Sequence, residues 1–531
     1  MKTNPNKLWI LVIALGWFFD FFFWKKTPGV NFAIFATLCL VGGFYFLLSE
    51  GFKPNRYSLI LLPLFGFFIV VTFIRAEPMT AFLAYSFTLF SMTILAVTYL
   101  GGRWIYYTIS DYVAKLLSLT GSIIVRPLNY TSDFRKAQAE AGIAPTKRNI
   151  WPVARGMVIA LPVVVIFASL LASADLVFSQ KLTGFIELFN LEKLPEYIFR
   201  LIYILVIAYA LAGVILYAAS QSKDEKLIGE DKPFIPAFLG FIESAIVLGS
   251  VVALFTAFVV IQFQYFFGGQ TNVHLDGYTY SEYARKGFGE LVAVAFFSLL
   301  MLLTLSGITK RETESQRRIF SGLGVAVVAL VLVMLVSAYQ RLVLYEAAYG
   351  FSRLRTYTHV FLIWIGLVLI ATIVLEILRK ERAFALAALI ASFGFAMSLP
   401  ILNVDAFIVQ QNIQRELRTD KDADAVALDT EYFLNLSDDA VPELASALHT
   451  PSLPDSVKDK VAASLACIRY QRSLNTPEVT WQWFHLARFN ADKAFASMKK
   501  TLDGYKINNT DWPITVKSPQ GEEFSCWAYY D

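Results

Sequence analysis

The sequence predicts an all-α polytopic membrane protein: a bundle of about eleven transmembrane helices followed by a C-terminal, mainly helical soluble domain. Three observations predict it. Apolar runs fall at about 8–24, 30–48, 58–74, 81–100, 153–172, 198–219, 237–261, 288–308, 319–338, 357–378 and 383–400, most of them near the ~20 residues that cross ~30 Å of hydrocarbon. Hydrophobic residues make up 56% of the chain and its mean hydropathy is +0.54, whereas soluble domains hold about 45–50% apolar residues. Beyond residue 402 the pattern changes to spaced charges with ordinary helical periodicity.

In chain order, residues 1–100 form a four-span segment. Its first run has a basic lead-in but no small-residue cleavage site, so it reads as retained and not as a signal peptide. Residues 101–152 read as a cytoplasmic linker. Within it, 105–125 carries Asp111 and Lys115 one turn apart in a moderately apolar stretch, the pattern of an interfacial amphipathic helix. Were it a twelfth span, everything before it would be inverted. Residues 153–402 form a seven-span core. Residues 403–531 form the soluble domain, with helices expected from about Asp405, after the Pro454-Asp455 start signal, and over 477–501. A small hairpin across Gln520-Gly521 ends it.

Charge orients the bundle. Residues 1–402 carry 33 basic and 23 acidic side chains and residues 403–531 carry 13 and 19, so the membrane part is +10 and the tail −6. With the N-terminus inside, inner segments hold 22 Lys and Arg against 11 outside. That bias is the usual topogenic signal of a multi-pass cell-membrane protein and argues against a nucleic-acid surface. The C-terminal domain is then expected to be extracytoplasmic. Three polar regions would share its side of the membrane.

The first is the stretch Val273–Leu305. Thr279 and Glu282 form a capping-box pattern, so a helix is expected near Tyr280. Asp276, Tyr280, Glu282, Tyr283, Arg285, Lys286 and Glu290 concentrate polar groups at the boundary. A ligand site and an aromatic belt with a charged helix cap both explain them. Glu290, one to two turns inside, needs a partner, and Lys286 is nearest. The second is the loop 339–359, with Arg341, Glu346, Arg353 and Arg355. An arginine fork suits a lipid headgroup; equally, Arg353 and Arg355 pair with Glu282, Glu290 or Asp405. The third follows the last span: Asn403 precedes a helix that puts Asp405, Asn412 and Arg415 close to one face.

No catalytic residue is assigned, because no phosphate-binding glycine loop, HExxH, paired CxxC or GxSxG elbow occurs. No metal-ligand spacing and no cofactor motif is present. Cys467 and Cys526 share the polar tail and can pair if it is exported, or remain two thiols in a reducing compartment.

The runs GYTYSEYARKGFGELVAVA (277–295), RLRTYTHVFLIWIGLVLI (353–370), LNVDAFIVQQNIQR (402–415) and SDDAVPEL (437–444) together resemble a bacterial multi-pass membrane family filed as a domain of unknown function, in the 4153/4173 group. The similarity spans roughly residues 150–450. It implies a bacterial integral membrane protein and carries no catalytic residue with it. The expected role is non-enzymatic: a helix bundle coupled to an extracytoplasmic domain for envelope sensing or assembly, with membrane lipids around it and a protein partner at the C-terminal domain. The alternatives are a transporter or lipid-handling protein with its site at the outer face, and a membrane transferase acting on lipid-linked substrates.

Overall fold

The computed structural model describes residues 5–140, 151–175, 177–178, 181, 193–223, 227–228, 236–266, 288–417, 427–474, 480–510 and 512–527. In chain order the helices are α1 (Pro5–Phe23), α2 (Val30–Ser49), α3 (Arg56–Leu59), α4 (Leu61–Ile74), α5 (Pro78–Thr98), α6 (Ile109–Glu140), α7 (Trp151–Ala174), α8 (Leu194–Ser220), α9 (Phe241–Phe266), α10 (Phe288–Ile308), α11 (Glu314–Tyr349), α12 (Arg353–Ile377), α13 (Phe384–Leu402), α14 (Val404–Leu417), α15 (Val441–Ala447), α16 (Asp455–Leu474), α17 (Leu486–Ser497) and α18 (Lys499–Leu502). Among the described residues ten helices are long and apolar enough to cross a membrane, with Arg56–Ile74 counted as one. The remaining apolar run, 153–172, falls in α7, whose Pro162–Ala174 part is a shorter apolar helix. The chain is an all-α polytopic membrane protein.

It divides into two compact units. The smaller comprises Met1–Lys26, Thr37–Lys53 and Leu116–Ser222. Here α1 lies along α8, drawn close because Gly16 has no side chain: a Cβ there would stand 2.6 Å from the Ile204 carbonyl. Gly213 lets α8 approach the α6 backbone at Ile123 in the same way, at 2.5 Å. Near the end of α1, Asp20 is buried and receives both arms of the Arg200 guanidinium and the Tyr203 hydroxyl. Its neighbours Trp24 and Lys25 both donate to Glu196, at 2.8 and 3.0 Å. Asp20 therefore stays inside because a guanidinium satisfies it there, which an isolated carboxylate in hydrocarbon would require.

The larger unit comprises Thr27–Ala36, Pro54–Lys115 and Lys223–Asp531. Its core runs between α9, α10, α11 and α12. Leu291, Ala295, Leu299 and Leu302 recur every three or four residues and so form one face of α10. They meet Val327, Val331 and Met334 of α11. Lipid tails are as apolar as leucine, so this packing rests on close van der Waals fit and on small residues at the crossings. Gly324 receives the tip of Leu302, and Gly394 of α13 receives the Trp364 indole, which leaves no room for a Cβ.

Three elements differ from their sequence-based bounds. Residues 105–125 are a turn of 3-10 helix at Arg103–Tyr106 followed by α6, which runs on to Glu140. Asp111 there is buried as an anchor. It takes the Thr108 N–H (2.8 Å) and hydroxyl (2.7 Å), and its other oxygen takes the Ile228 N–H (2.7 Å). The polar loop 339–359 is mostly helix, because no breaker interrupts α11 before Gly350. From its Thr313–Gln316 capping box α11 continues for 36 residues, about 54 Å at 1.5 Å per residue. Only residues 350–352 then join it to α12.

The third difference lies in the tail. The helix expected over 477–501 is delayed to Leu486, since Trp481–Trp483 turn as 3-10 helix and His485 is extended. The terminal hairpin is a three-stranded antiparallel sheet of β1 (Lys506–Asn508), β2 (Thr515–Lys517) and β3 (Glu523–Ser525), with Ile507 opposite Val516 and Val516 opposite Phe524. Cys467 of α16 and Cys526 are joined by a disulfide, with Cα atoms 5.2 Å apart.

Within this unit, turns separated by pairs of spans gather at the same end. The Phe484 carbonyl accepts the Val30 N–H at 3.0 Å at the start of α2. The α4–α5 turn at Arg75–Glu77, the α11–α12 turn and the α13–α14 junction at Asn403 all meet the C-terminal region as well. The opposite end gathers the complementary set: Asn55 to Tyr99, Asp111 to Ile228, Lys310 to Leu239, and Arg311 to Glu381.

Candidate functional site: an ion-pair clasp under the C-terminal region

Five charged side chains meet where the C-terminal region covers the bundle. Glu77 precedes Pro78, the first residue of α5, and acts as the helix's N-cap. Its carboxylate accepts the Met79 and Thr80 N–H groups at 2.9 and 2.7 Å and the Thr80 hydroxyl at 2.6 Å. The Tyr357 hydroxyl, from α12, donates to the same carboxylate. Arg353, the first residue of α12, lays its guanidinium on Asp405 as a fork, Nε to Oδ1 at 2.7 Å and Nη2 to Oδ2 at 2.6 Å. Its Nε is also 3.9 Å from Glu77. Asp405, wholly buried, takes a further N–H from Ser437 at 2.7 Å.

Asp439 closes the group from the C-terminal side. One of its oxygens accepts the Ala76 and Glu77 N–H groups at 2.6 and 3.0 Å, and the other faces Arg75 at 3.7 Å. Arg75 in turn donates to the Pro400 carbonyl at 3.0 Å. Burial pushes the Asp439 carboxyl up to about 6, although the two N–H groups and Arg75 pull it back. Three carboxylates face two guanidiniums, so the group carries one acid more than it has bases for.

A second layer fixes the turn that presents Arg353. The Asn412 side-chain amide bonds both ways with Phe351, accepting its N–H at 2.7 Å and donating to its carbonyl at 2.9 Å. Arg415 donates to the Ala348 carbonyl at 2.8 Å, and Arg355 to the Tyr349 and Gly350 carbonyls while lying 4.2 Å over the Tyr345 ring. Gly350 has φ of 78°, and a Cβ on it would stand 2.6 Å from the Asn412 oxygen. Both the left-handed backbone and the space require glycine. Burial, with Arg355 nearby, holds the Arg415 guanidinium below its usual value.

Of the residues singled out from sequence, Arg353, Arg355, Asp405, Asn412 and Arg415 thus surround one turn. Asn403, at φ 55°, ends α13 in the left-handed region that asparagine tolerates. Glu346 is buried and pairs with His359 Nδ1 at 3.0 Å, and Arg341 is buried on the same helix. Among the described residues Arg355 holds the Tyr349 and Gly350 carbonyls, and Glu282, one of the carboxylates expected to pair with it, lies outside them. Glu290 is exposed in the first turn of α10. Asp276, Tyr280, Glu282, Tyr283, Arg285 and Lys286 lie outside the described residues. Sequence reading passed over Arg75, Glu77, Tyr357 and Asp439. Glu77-Pro78 between two spans is a helix-start signal, and Asp439 lies in the SDDAVPEL run, so a trace of both was present.

The family model of a domain of unknown function, DUF4153, matches residues 62–447. The chain belongs to this family. No curated protein and no solved structure matches the chain. The DUF4153 match takes in the whole clasp, from Arg75 and Glu77 to Asp439, and stops before the disulfide and the terminal sheet. Among the described residues no group of three His, Cys, Asp or Glu stands close enough to hold a metal ion. Chemically, the clasp carboxylates accept from donors on segments distant in the chain, an arrangement suited to fastening those segments together.

Proposed function

We propose that this chain couples its helix bundle to a C-terminal domain held on the extracytoplasmic face of a bacterial cell membrane, in envelope sensing or assembly, without catalysing a reaction. The observation that carries the reading is the clasp. Asp405 and Asp439 tie the tail to Arg353 and to the Arg75–Glu77 turn, so the domain cannot shift without disturbing the ends of α4, α5 and α12. The excess of Lys and Arg expected on the opposite end supports this side of the membrane. The disulfide between Cys467 and Cys526 supports an oxidising compartment. A transport pathway is less well supported, since the core between α9 and α12 is built of Leu, Val, Ala, Phe and Met. A transferase site beside Arg353 or Arg341 needs a carboxylate turned to a cleft, whereas Asp405 and Glu346 are buried against Arg353 and His359.

Labelling of single cysteines in intact cells tests this, with Cys39 replaced by serine. Thr450→Cys should react with a membrane-impermeant maleimide from outside, and Arg317→Cys only after permeabilisation. The reverse pattern would place the domain in the cytoplasm and end the proposal.

A further inference from the structure

A cavity of 610 Å³ opens beside the clasp, lined among others by Ala76, Ser437, Asp438, Arg472, Trp483 and Arg488. Its charges are unequally satisfied. Arg472 is held by Asp438 and, at 2.5 Å, by Asp492, and Arg469 by Asp503 at 3.1 Å. Arg488 is not. Its guanidinium lies 4.2 Å over the Trp483 ring, its Nε stands 3.9 Å from Asp438, and its Nη1 is buried with no hydrogen-bond partner among the described residues. Trp483 Nε1 and His485 Nδ1, on the same segment, are likewise buried without a partner. A half-buried guanidinium has five N–H donors to satisfy, and an oxyanion is the group that fits its fork.

Position narrows the source of that oxyanion. The Phe484 carbonyl bonds the first N–H of α2, α17 packs on α4, and Arg488 is within electrostatic reach of Tyr85. Tyr85 lies two turns inside α5, so this wall stands level with the ends of three apolar helices. Trp481, Phe484 and Phe489 are exposed there, at 58%, 45% and 55%. Large aromatic rings beside arginine, at the depth where spans end, match the headgroup layer of a bilayer.

We propose that this cavity holds the phosphate headgroup of an anionic membrane phospholipid. Arg488 grips the phosphate, with Trp481, Phe484 and Phe489 seated among the lipid glycerol and upper acyl carbons. This goes beyond the coupling role and stands even if the clasp is purely structural, since it uses neither Arg353 nor Asp405. The site lies outside the 339–359 segment in which the sequence first suggested a headgroup.

The test uses full-length, delipidated protein in detergent micelles. Phosphatidylglycerol carrying a photoactivatable headgroup is crosslinked and the labelled peptides mapped, while native mass spectrometry titrates unmodified phosphatidylglycerol and, separately, glycerol 3-phosphate. Labelling should fall within residues 481–495. Arg488→Gln should weaken phosphatidylglycerol binding by about tenfold or more, as loss of a charge-assisted contact does, and Arg488→Lys by less. Glycerol 3-phosphate binding as tightly as the lipid would make this a site for free anions and overturn the lipid assignment. Label elsewhere, or lipid binding unchanged in Arg488→Gln, would overturn the site. If Arg488→Gln does not fold, the map on the unaltered protein decides alone.

Discussion

The two ends of the larger unit hold arginine–carboxylate pairs of the same kind in opposite surroundings. At the end away from the tail, Arg379 meets Glu314 at 2.7 Å with side chains 50% and 61% exposed. At the covered end, Arg353 meets Asp405 at 2.6 Å with the carboxylate wholly buried. Distance alone would rank them together. Water separates them: an exposed pair is screened and fixes little, whereas a buried one has lost its hydration and depends on every remaining partner. The contrast identifies the end at which losing one partner costs more, and the predicted effects follow its order.

Arg353→Gln should have the largest effect, a loss of about 3–5 kcal/mol, because it leaves Asp405 and Glu77 buried without their cation. Thermal unfolding in detergent measures it; an unchanged midpoint would show that water reaches Asp405. Cys467→Ser should cost the C-terminal region about 2–4 kcal/mol. It should expose that region to protease while the spans stay folded, a difference that limited proteolysis reads directly.

Acidification should act through two groups of opposite sign. Asp439, raised to about 6 by burial, contributes stability that is fully present below its unfolded value of 3.8 and is lost as pH rises through 6. His485, lowered to about 4 by burial and then by Arg488, contributes stability present above 6.5 and lost as pH falls through 4. Unfolding midpoints between pH 4 and 7 should therefore change little in the unaltered protein. They should fall on acidification in Asp439→Asn and rise in His485→Gln. Parallel profiles for all three would show that neither group titrates differently on folding. The smallest effect is expected at the exposed end, where Glu314→Ala should leave the midpoint unchanged in 0.15 M salt (about an 8 Å screening length).

The bundle was legible because span length and hydrophobicity are local properties. The run from Phe320 to Ala338 signals a span by itself, and Leu291, Ala295, Leu299 and Leu302 show one face by their spacing. The clasp was half legible. Arg353 and Asp405 stood out as charges at membrane boundaries, and Asp405 was among the partners weighed for Arg353. Glu77 and Asp439 did not, since a carboxylate beside a span end is ordinary until its distant donors are known. Nothing near Glu77 in the sequence points to Tyr357, and nothing near Asp439 points to the Ala76 N–H. The third strand of the terminal sheet was missed for a different reason. Lys506–Asn508 is no shorter than the two strands beside Gln520-Gly521, but no turn signal pairs it with either of them in the sequence.

The bond from Ala76 to Asp439 joins residues 363 apart in the chain, and that from Tyr357 to Glu77 joins residues 280 apart. During synthesis the Arg75–Glu77 turn emerges hundreds of residues before Asp439, so its N–H groups lack that partner until the C-terminal region is made. A chain stopped early, at Leu417 for instance, would keep its spans and the Arg353–Asp405 pair, yet leave Arg75 and the Ala76 and Glu77 N–H groups without Asp439. The Arg75–Glu77 turn is thereby the last part of the clasp to close as the chain is made.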